Sequence, residues 1–357
     1  MDRQLRWWPR AGVSGVALLL AGLVLGACGG GAAVRSGGGT SGGAGVTITL
    51  YNGQHPQTTA TLVAAFEKQT GVQVRERDGD EDVLAQQIVQ EGSNSPADVY
   101  YSENSPDLQF LASKGDLAKL GPAVLGKVPS RYSSPQGMWV GVTARVSGIV
   151  YNTRLVRPSQ IPRSVMELAS PAWAGKLGLA PSETDFQPVI TSVERTYGHA
   201  AALSWLEGLK RNAGSHVYPD NETLVAEVNS GQVALGIVDH YYWYRLAYEL
   251  GGAAHMHSRF TTFAPRNAGY VLDVSGAGVL RTSRHQAAAR RFVAFLVSKQ
   301  GQEIIARSQS YEYPLGSGVK TSQPIPAFSS LEPVPLSIAE LGSGSGALAL
   351  LHQAQLL

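Results

Sequence analysis

From Val46 to Tyr101 the chain alternates strand, helix, strand, helix, strand, and that order confines it to a sheet with a parallel core. Val46-Thr47-Ile48-Thr49-Leu50-Tyr51 alternates as a half-buried strand does, and Asn52-Gly53 ends it. The next segment reads as a helix, with Thr58 or Thr59 as cap, Leu62, Val63 and Phe66 on one face, and Gly71 as stop. Residues 72–75 and 97–101 supply the next two strands, with a helix over 83–90 between them. In parallel sheets wound this way, ligands sit beyond the carboxyl ends of the strands. The loops after Tyr51 and Tyr101 hold His55 and Glu103, so chemistry is expected there.

Further along, residues 139–151 are β-rich and apolar and lead into a second lobe. That lobe takes helices at 182–197 and 200–211, a strand at 233–238 and the helix after it. Residues 270–280 are again β-like, and 286–298 and 301–306 are helical. A chain that leaves the first lobe near 145 and returns near 272 crosses twice, which makes a cleft able to close on a ligand. The expected architecture is α/β, two doubly wound lobes on a two-crossing hinge. Lobe 1 comprises 46–145 plus 272–322, and lobe 2 comprises 146–271 plus 323–357.

The first 45 residues do not belong to that fold. Arginines 3, 6 and 10 precede the apolar run from Val13 to Leu25, and Leu25-Gly26-Ala27-Cys28 resembles a bacterial lipobox. The run is short for a membrane-spanning helix and ends in small residues, as a cleaved signal does. Residues 1–27 thus read as a lipoprotein signal peptide and Cys28 as the lipidated residue. Because Cys28 is the sole cysteine, no intrachain disulfide can form. Residues 28–45 are Gly/Ser-rich and read as a flexible tether. The expected location is extracytoplasmic, with the chain anchored to the cell membrane by lipid.

Removing Arg3, Arg6, Arg10 and Asp2 from the 29 basic and 27 acidic residues leaves 26 of each, so the mature chain is near neutral. Without a basic stripe, nucleic acid is not its partner. The chain also lacks a nucleophile elbow, a P-loop, a dinucleotide fingerprint and an HExxH motif, so nothing in it supports catalysis.

The sharpest local feature is Asp239-His240-Tyr241-Tyr242-Trp243-Tyr244, which follows an apolar strand and opens a helix with Asp239 as cap. Adjacent residues in a first helical turn are about 100° apart, so both phenols can reach one point in front of the helix. A helix N-terminus favours negative charge, and phenolate is a hard ligand suited to a hard, highly charged ion. The same string also suits core packing, or a platform on which a sugar stacks.

Together with Tyr51-Asn52-Gly53-Gln54-His55, Pro96-Ala97-Asp98-Val99-Tyr100-Tyr101-Ser102-Glu103 and Trp173-Ala174-Gly175-Lys176-Leu177-Gly178, the Tyr241-to-Tyr244 string resembles the bacterial ferric-ion-binding periplasmic proteins. The resemblance runs from Thr47 to the C-terminus and implies a periplasmic-binding-protein type II fold. It implies an extracytoplasmic iron carrier, monomeric, that delivers Fe³⁺ to an ABC permease and its ATPase. The implied ligands are His55, Glu103, Tyr241 and Tyr242. They leave two positions of an octahedral ion for an exogenous anion or water.

The chain departs from the resemblance at the anion site. Phosphate-holding relatives present small residues with free N–H groups at a helix start; here that stretch is Glu183-Thr184-Asp185. Asn221 matches a position implied in anion binding, whereas Asp239 stands in place of Asn. Three outcomes are open: Asp185 or Asp239 as a direct ligand, Arg145 recruiting carbonate, or water. Glu183 and Asp185 could equally serve only to favour a first helical turn. A second subgroup uses other tyrosines, but Val150 and Pro56 occupy those positions here, and Tyr151 merely lies near one of them. His240 is expected to face outward. His255-Met256-His257 could bind a divalent metal if extended, or lie in a solvated loop. The rivals are an organic solute (a sugar, polyamine or phosphorylated compound) in the same fold, and a sensor of iron status.

Overall fold

The computed structural model describes residues 45–316 and 318–357; the signal peptide, Cys28 and most of the tether lie outside them. The parallel core is built from β1 (Thr47–Gly53), flanked by β2 (Gln73–Asp78) and β3 (Val99–Ser102). Helices α1 (Pro56–Thr70) and α2 (Glu81–Glu91) make the crossovers. On α1, Leu62, Val63 and Phe66 are buried, each worth about 1.5–3 kcal/mol in transfer free energy. Gly71 adopts φ 71° at the helix end, and its N–H closes on the Glu67 carbonyl.

This helix starts earlier than the threonines suggest. Proline is best tolerated in a helix's first turn, and Pro56 opens α1 with His55 in the capping position. Thr59 turns its hydroxyl to Asn52 Oδ1 (3.1 Å). The helix start thus carries His55 out at the carboxyl end of β1.

After β3 come α3 (Ser105–Lys114), the short β4 (Leu117–Ala118) and α4 (Pro122–Leu125). The chain then enters β5 (Trp139–Asn152), which is buried along its whole length. Next are β6 (Leu177–Gly178), α5 (Phe186–Tyr197), α6 (His199–Ala213) and α7 (Asn221–Ser230). They lead to β7 (Leu235–Asp239), α8 (His240–Glu249), β8 (Ser258–Thr261) and β9 (Leu272–Leu280). The chain closes with α9 (Gln286–Leu296), α10 (Lys299–Arg307), β10 (Tyr313–Pro314), α11 (Ile338–Leu341) and α12 (Ser345–Gln353).

β5 changes partner midway. Its residues 139–146 pair antiparallel with β9, with a bulge between Gly141 and Thr143. From Ser147 onward it pairs with β7, and from Ile149 also with β8. The strand order β2-β1-β3-β9-β5-β7-β6 therefore turns on one strand. The structure has the two-lobed type II architecture, with a mixed sheet in which antiparallel β9 borders the parallel core. Helix α5 begins at Phe186, not near 182, because Glu183 and Thr184 form the turn that leads into it. No helix among the described residues is long and apolar enough to cross a membrane.

Candidate metal centre

Five helix starts converge on one point beyond the sheet. His55 opens α1, Glu103 and Asn104 precede α3, Asp185 precedes α5, Asn221 begins α7, and Tyr241 and Tyr242 lie in the first turn of α8. Helix N-termini carry partial positive charge, which offsets the carboxylates gathered there.

The phenols are the centre of the cluster. Tyr241 and Tyr242 are buried with ring centroids 4.1 Å apart. Tyr241 Oη donates to Glu103 Oε1 at 2.5 Å and lies 3.0 Å from Asp185 Oδ2. Tyr242 Oη donates to the same Asp185 Oδ2 at 2.7 Å and stands 3.4 Å from Glu183 Oε2. Burial, then Asp185 and Glu103 or Glu183, hold both phenols well above their ordinary pKa in the metal-free state. A trivalent cation among these oxygens would reverse that by favouring the phenolates.

His55 faces the same oxygens. Its ring lies edge-on to Tyr241, with centroids 5.1 Å apart, and its Nε2 is 3.7 Å from Glu103 Oε1. Nε2 is buried and accepts or donates no hydrogen bond, in a residue only 8% exposed. Burial, then Arg245 and Arg145, keep this imidazole well below the usual histidine range, so it is neutral and offers a lone pair. Gln54 Oε1 accepts from the His55 backbone N–H at 2.7 Å, fixing the turn.

Arg145 lies behind the cluster, wholly buried, on β5 just before its change of partner. Its Nε (3.2 Å) and Nη2 (2.5 Å) donate to Glu312 Oε1. Its Nη1 donates to the Glu103 carbonyl and to Asn104 Oδ1 (2.8 Å). Asp185 at 3.7 Å, Glu103 at 3.8 Å and Asp239 at 3.9 Å complete its surroundings. Glu312 was invisible in the sequence: it sits 167 residues away in a stretch without a motif.

The remaining expected residues separate clearly. Asn221 Nδ2 reaches Asp185 Oδ2 at 3.4 Å, on the margin of the cluster. Asp239 occupies the helix-cap position without capping, its carboxylate turned toward Arg145. Tyr151 pairs with Leu235, four residues along β7 from Asp239 and roughly 13 Å away at strand spacing. His240, expected outside, is buried: Val146 N–H donates to its Nδ1 at 3.3 Å and its Nε2 bonds the Tyr311 carbonyl at 2.8 Å. As the first residue of α8 it packs onto β5 and stacks on Tyr313, 5.0 Å between centroids, which an outward side chain would forgo. His255 ends a 3-10 turn and His257 stands 3.2 Å from Arg154, so the two do not form an extended pair.

Among the described residues, no group of three or more His, Cys, Asp or Glu side chains could by itself hold a metal. The cluster becomes a donor set only when the phenols are counted. A small, hard octahedral cation with bonds of about 2.0–2.1 Å keeps adjacent donors about 2.9 Å apart. The phenol-to-carboxylate distances of 2.5, 2.7 and 3.0 Å lie around that spacing.

Residues 94–330 match the family of bacterial extracellular solute-binding proteins. Over 83% of its length the chain is 34% identical to the Fe(3+)-binding periplasmic protein of Serratia marcescens, covering 87% of it. Its identity to the major ferric iron-binding protein of Neisseria meningitidis is 33%, over 86% of this chain and 92% of that one. The chain belongs to the bacterial ferric-ion-binding periplasmic protein family. Among solved members of this family, iron-bound HitA from Pseudomonas aeruginosa superimposes with a TM-score of 0.82 at 40% identity, over 87% of this chain and 99% of that one. The Trichodesmium protein in complex with iron and citrate gives 0.74 at 26% identity, over 86% and 99%.

Proposed function

We propose that this protein captures ferric iron outside the cytoplasmic membrane and hands it to an ABC permease with its ATPase. The observation that carries this reading is the unpartnered Nε2 of His55, buried against the Tyr241 phenol and the Glu103 carboxylate. A nitrogen left so costs about 1–3 kcal/mol unless something fills the space before it. Fe³⁺ would be bound by His55, Glu103, Tyr241 and Tyr242, with the two phenolates and one carboxylate matching its charge.

Lobe 1 (46–145 plus 272–322) contributes His55 and Glu103, and lobe 2 (146–271 plus 323–357) contributes the tyrosines. Closure therefore assembles the site, and iron shifts the open–closed equilibrium by binding the closed form better. The bend falls where β5 exchanges β9 for β7. A signal peptide at 1–27 and a lipid on Cys28 would keep the protein at the membrane, on the 28–45 tether. The protein binds and transfers; it performs no catalysis.

The test is a visible absorption titration of the purified protein with ferric citrate, beside a Tyr241→Phe/Tyr242→Phe double variant. Wild type should develop a phenolate-to-iron charge-transfer band that saturates at one equivalent, and the variant should show none. A colourless wild type would remove the ferric reading and leave an organic solute in the same cleft.

A further inference from the structure

We propose that Glu81 and Thr184 form an interlobe clasp that holds the cleft shut and sets how fast iron leaves it, without either residue touching the metal. The proposal rests on the ferric reading and the lobe division above, which place Glu81 in lobe 1 and Thr184 in lobe 2. Thr184 Oγ1 donates to Glu81 Oε1 at 2.5 Å. The same oxygen accepts from Asn104 Nδ2 at 2.8 Å, a bond made within lobe 1.

Glu81 differs from its acidic neighbours. Asp80 stands at the cap position of α2 and Asp82 in its first turn, where the helix favours negative charge, and both are exposed to solvent. Glu81 is only 6% exposed, and burial of a carboxyl group is unfavourable unless bonds inside the protein offset it. The fold sets it in place from behind. Tyr100 Oη donates to the Glu81 backbone carbonyl at 2.8 Å. Gly53, at the end of β1, lets the start of α2 come close: a Cβ there would stand 2.5 Å from Glu81 Cβ and 2.8 Å from its Cα. On the facing wall Thr184 belongs to the turn into α5, its carbonyl accepting from Gln187 N–H at 3.0 Å. Its backbone is thereby held while its hydroxyl crosses the cleft. Both ends of the bond are anchored, each in its own lobe, so the bond exists only where the lobes meet.

Opening exchanges this bond for bonds to water. A hydrogen bond exchanged in that way is worth about tenfold, or about 1.4 kcal/mol, in the ratio of closed to open forms. Iron enters the open cleft, so loading does not depend on the clasp, whereas release must first break it. The signature of the clasp is therefore an effect on release alone.

The experiment is stopped-flow release of iron from loaded protein to desferrioxamine, followed by the charge-transfer band. Thr184→Val keeps the side chain's shape and removes its donor. It should release iron about tenfold faster, with the band position and the loading rate unchanged. Thr184→Ser restores the hydroxyl and should return release to within about twofold of wild type. Glu81→Ala should also speed release. The double variant Glu81→Ala/Thr184→Val should be no faster than the faster single one, because both changes remove the same bond.

Release at the wild-type rate in Thr184→Val overturns the proposal, as do single effects that multiply in the double variant. The two single variants lie on opposite walls, so misfolding of one leaves the other to decide. A wild-type protein without the band counts against the ferric reading instead. The clasp is then read by small-angle scattering of the iron-free chain: a larger radius of gyration in Thr184→Val supports it, and an identical one overturns it.

Discussion

The two walls of the cleft meet the same point with different degrees of preparation. On one, Tyr241, Tyr242 and Asp185 lie together: two phenols with mutually tilted rings approach one carboxylate oxygen at 2.7 and 3.0 Å. On the other, His55 and Glu103 stand 3.7 Å apart, and the imidazole nitrogen has no partner at all. The tyrosine wall has a carboxylate of its own in Asp185, although Tyr241 Oη and Asn104 Nδ2 also bond across the cleft; the His55 imidazole nitrogen on the other wall has no bond on either side. A cation arriving at an open cleft would therefore meet the phenols first, and the histidine wall would complete the site on closing. That asymmetry ties an order of events to particular donors.

One residue serves both walls, and removing it should have the largest effect. Arg145 holds the Glu103 carbonyl on one side and stands beside Asp185 and Asp239 on the other, with Glu312 in its fork. Taking one partner from a buried ion pair costs about 3–5 kcal/mol, because the other charge is left without compensation. Arg145→Met should lower stability by that amount in urea denaturation, and Arg145→Met/Glu312→Gln should recover part of the loss. An unchanged urea midpoint in the single variant would mean that the walls are held independently.

The difference between the walls is sharpened by removing the histidine alone. In His55→Ala the phenolates remain, so the charge-transfer band should persist while affinity falls about 100-fold and iron leaves faster. Stopped-flow release to a chelator measures this directly. If His55→Ala abolishes the band as the double tyrosine variant does, the tyrosine wall is not a site in its own right. If release is unchanged, His55 is a wall of the cavity and not a ligand.

The sequence carried the scaffold of this arrangement better than its interior. The strand and helix order from Val46 to Tyr101 was legible because period and stop signals agreed, with Gly71 closing α1 as expected. The mid-chain β segment that changes partner at Val146 and Ser147 was visible as an apolar run, though nothing in it announces where the pairing switches. The four proposed iron-binding side chains came from resemblance to a family, and the structure brings all four to one place. What stayed hidden depends on distant partners. Glu312 and Arg145 meet across 167 residues, and His240 turns inward because β5 and the Tyr311 carbonyl offer it bonds. Helix α7 was different: Asp220 accepting from Thr223 N–H at 2.7 Å is a local cap, and Leu224, Val225 and Val228 give the stripe. Its signal was present but short.

The smallest predicted effect concerns the tyrosine wall before iron arrives. Burial, followed by Asp185, Glu222, Glu81 and Glu103, pushes the Glu183 carboxyl up to about 10 from its ordinary value of 4.5. The folded, iron-free chain thus keeps a proton that the unfolded chain gives up above about pH 4.5. Its contribution to stability is complete below that pH and is lost progressively as pH rises toward 10. Iron-free protein should therefore melt at a lower temperature at pH 8.5 than at pH 6. Glu183→Gln, which cannot ionise, should flatten that slope without abolishing it, since Asp107, pushed to about 8, and Glu222, to about 7, titrate in the same range. Iron-loaded protein should show a shallower slope still, because the cation's charge favours the ionised carboxylates around it. Differential scanning calorimetry across pH measures all three, and an identical slope in wild type and Glu183→Gln would place the proton elsewhere on the wall.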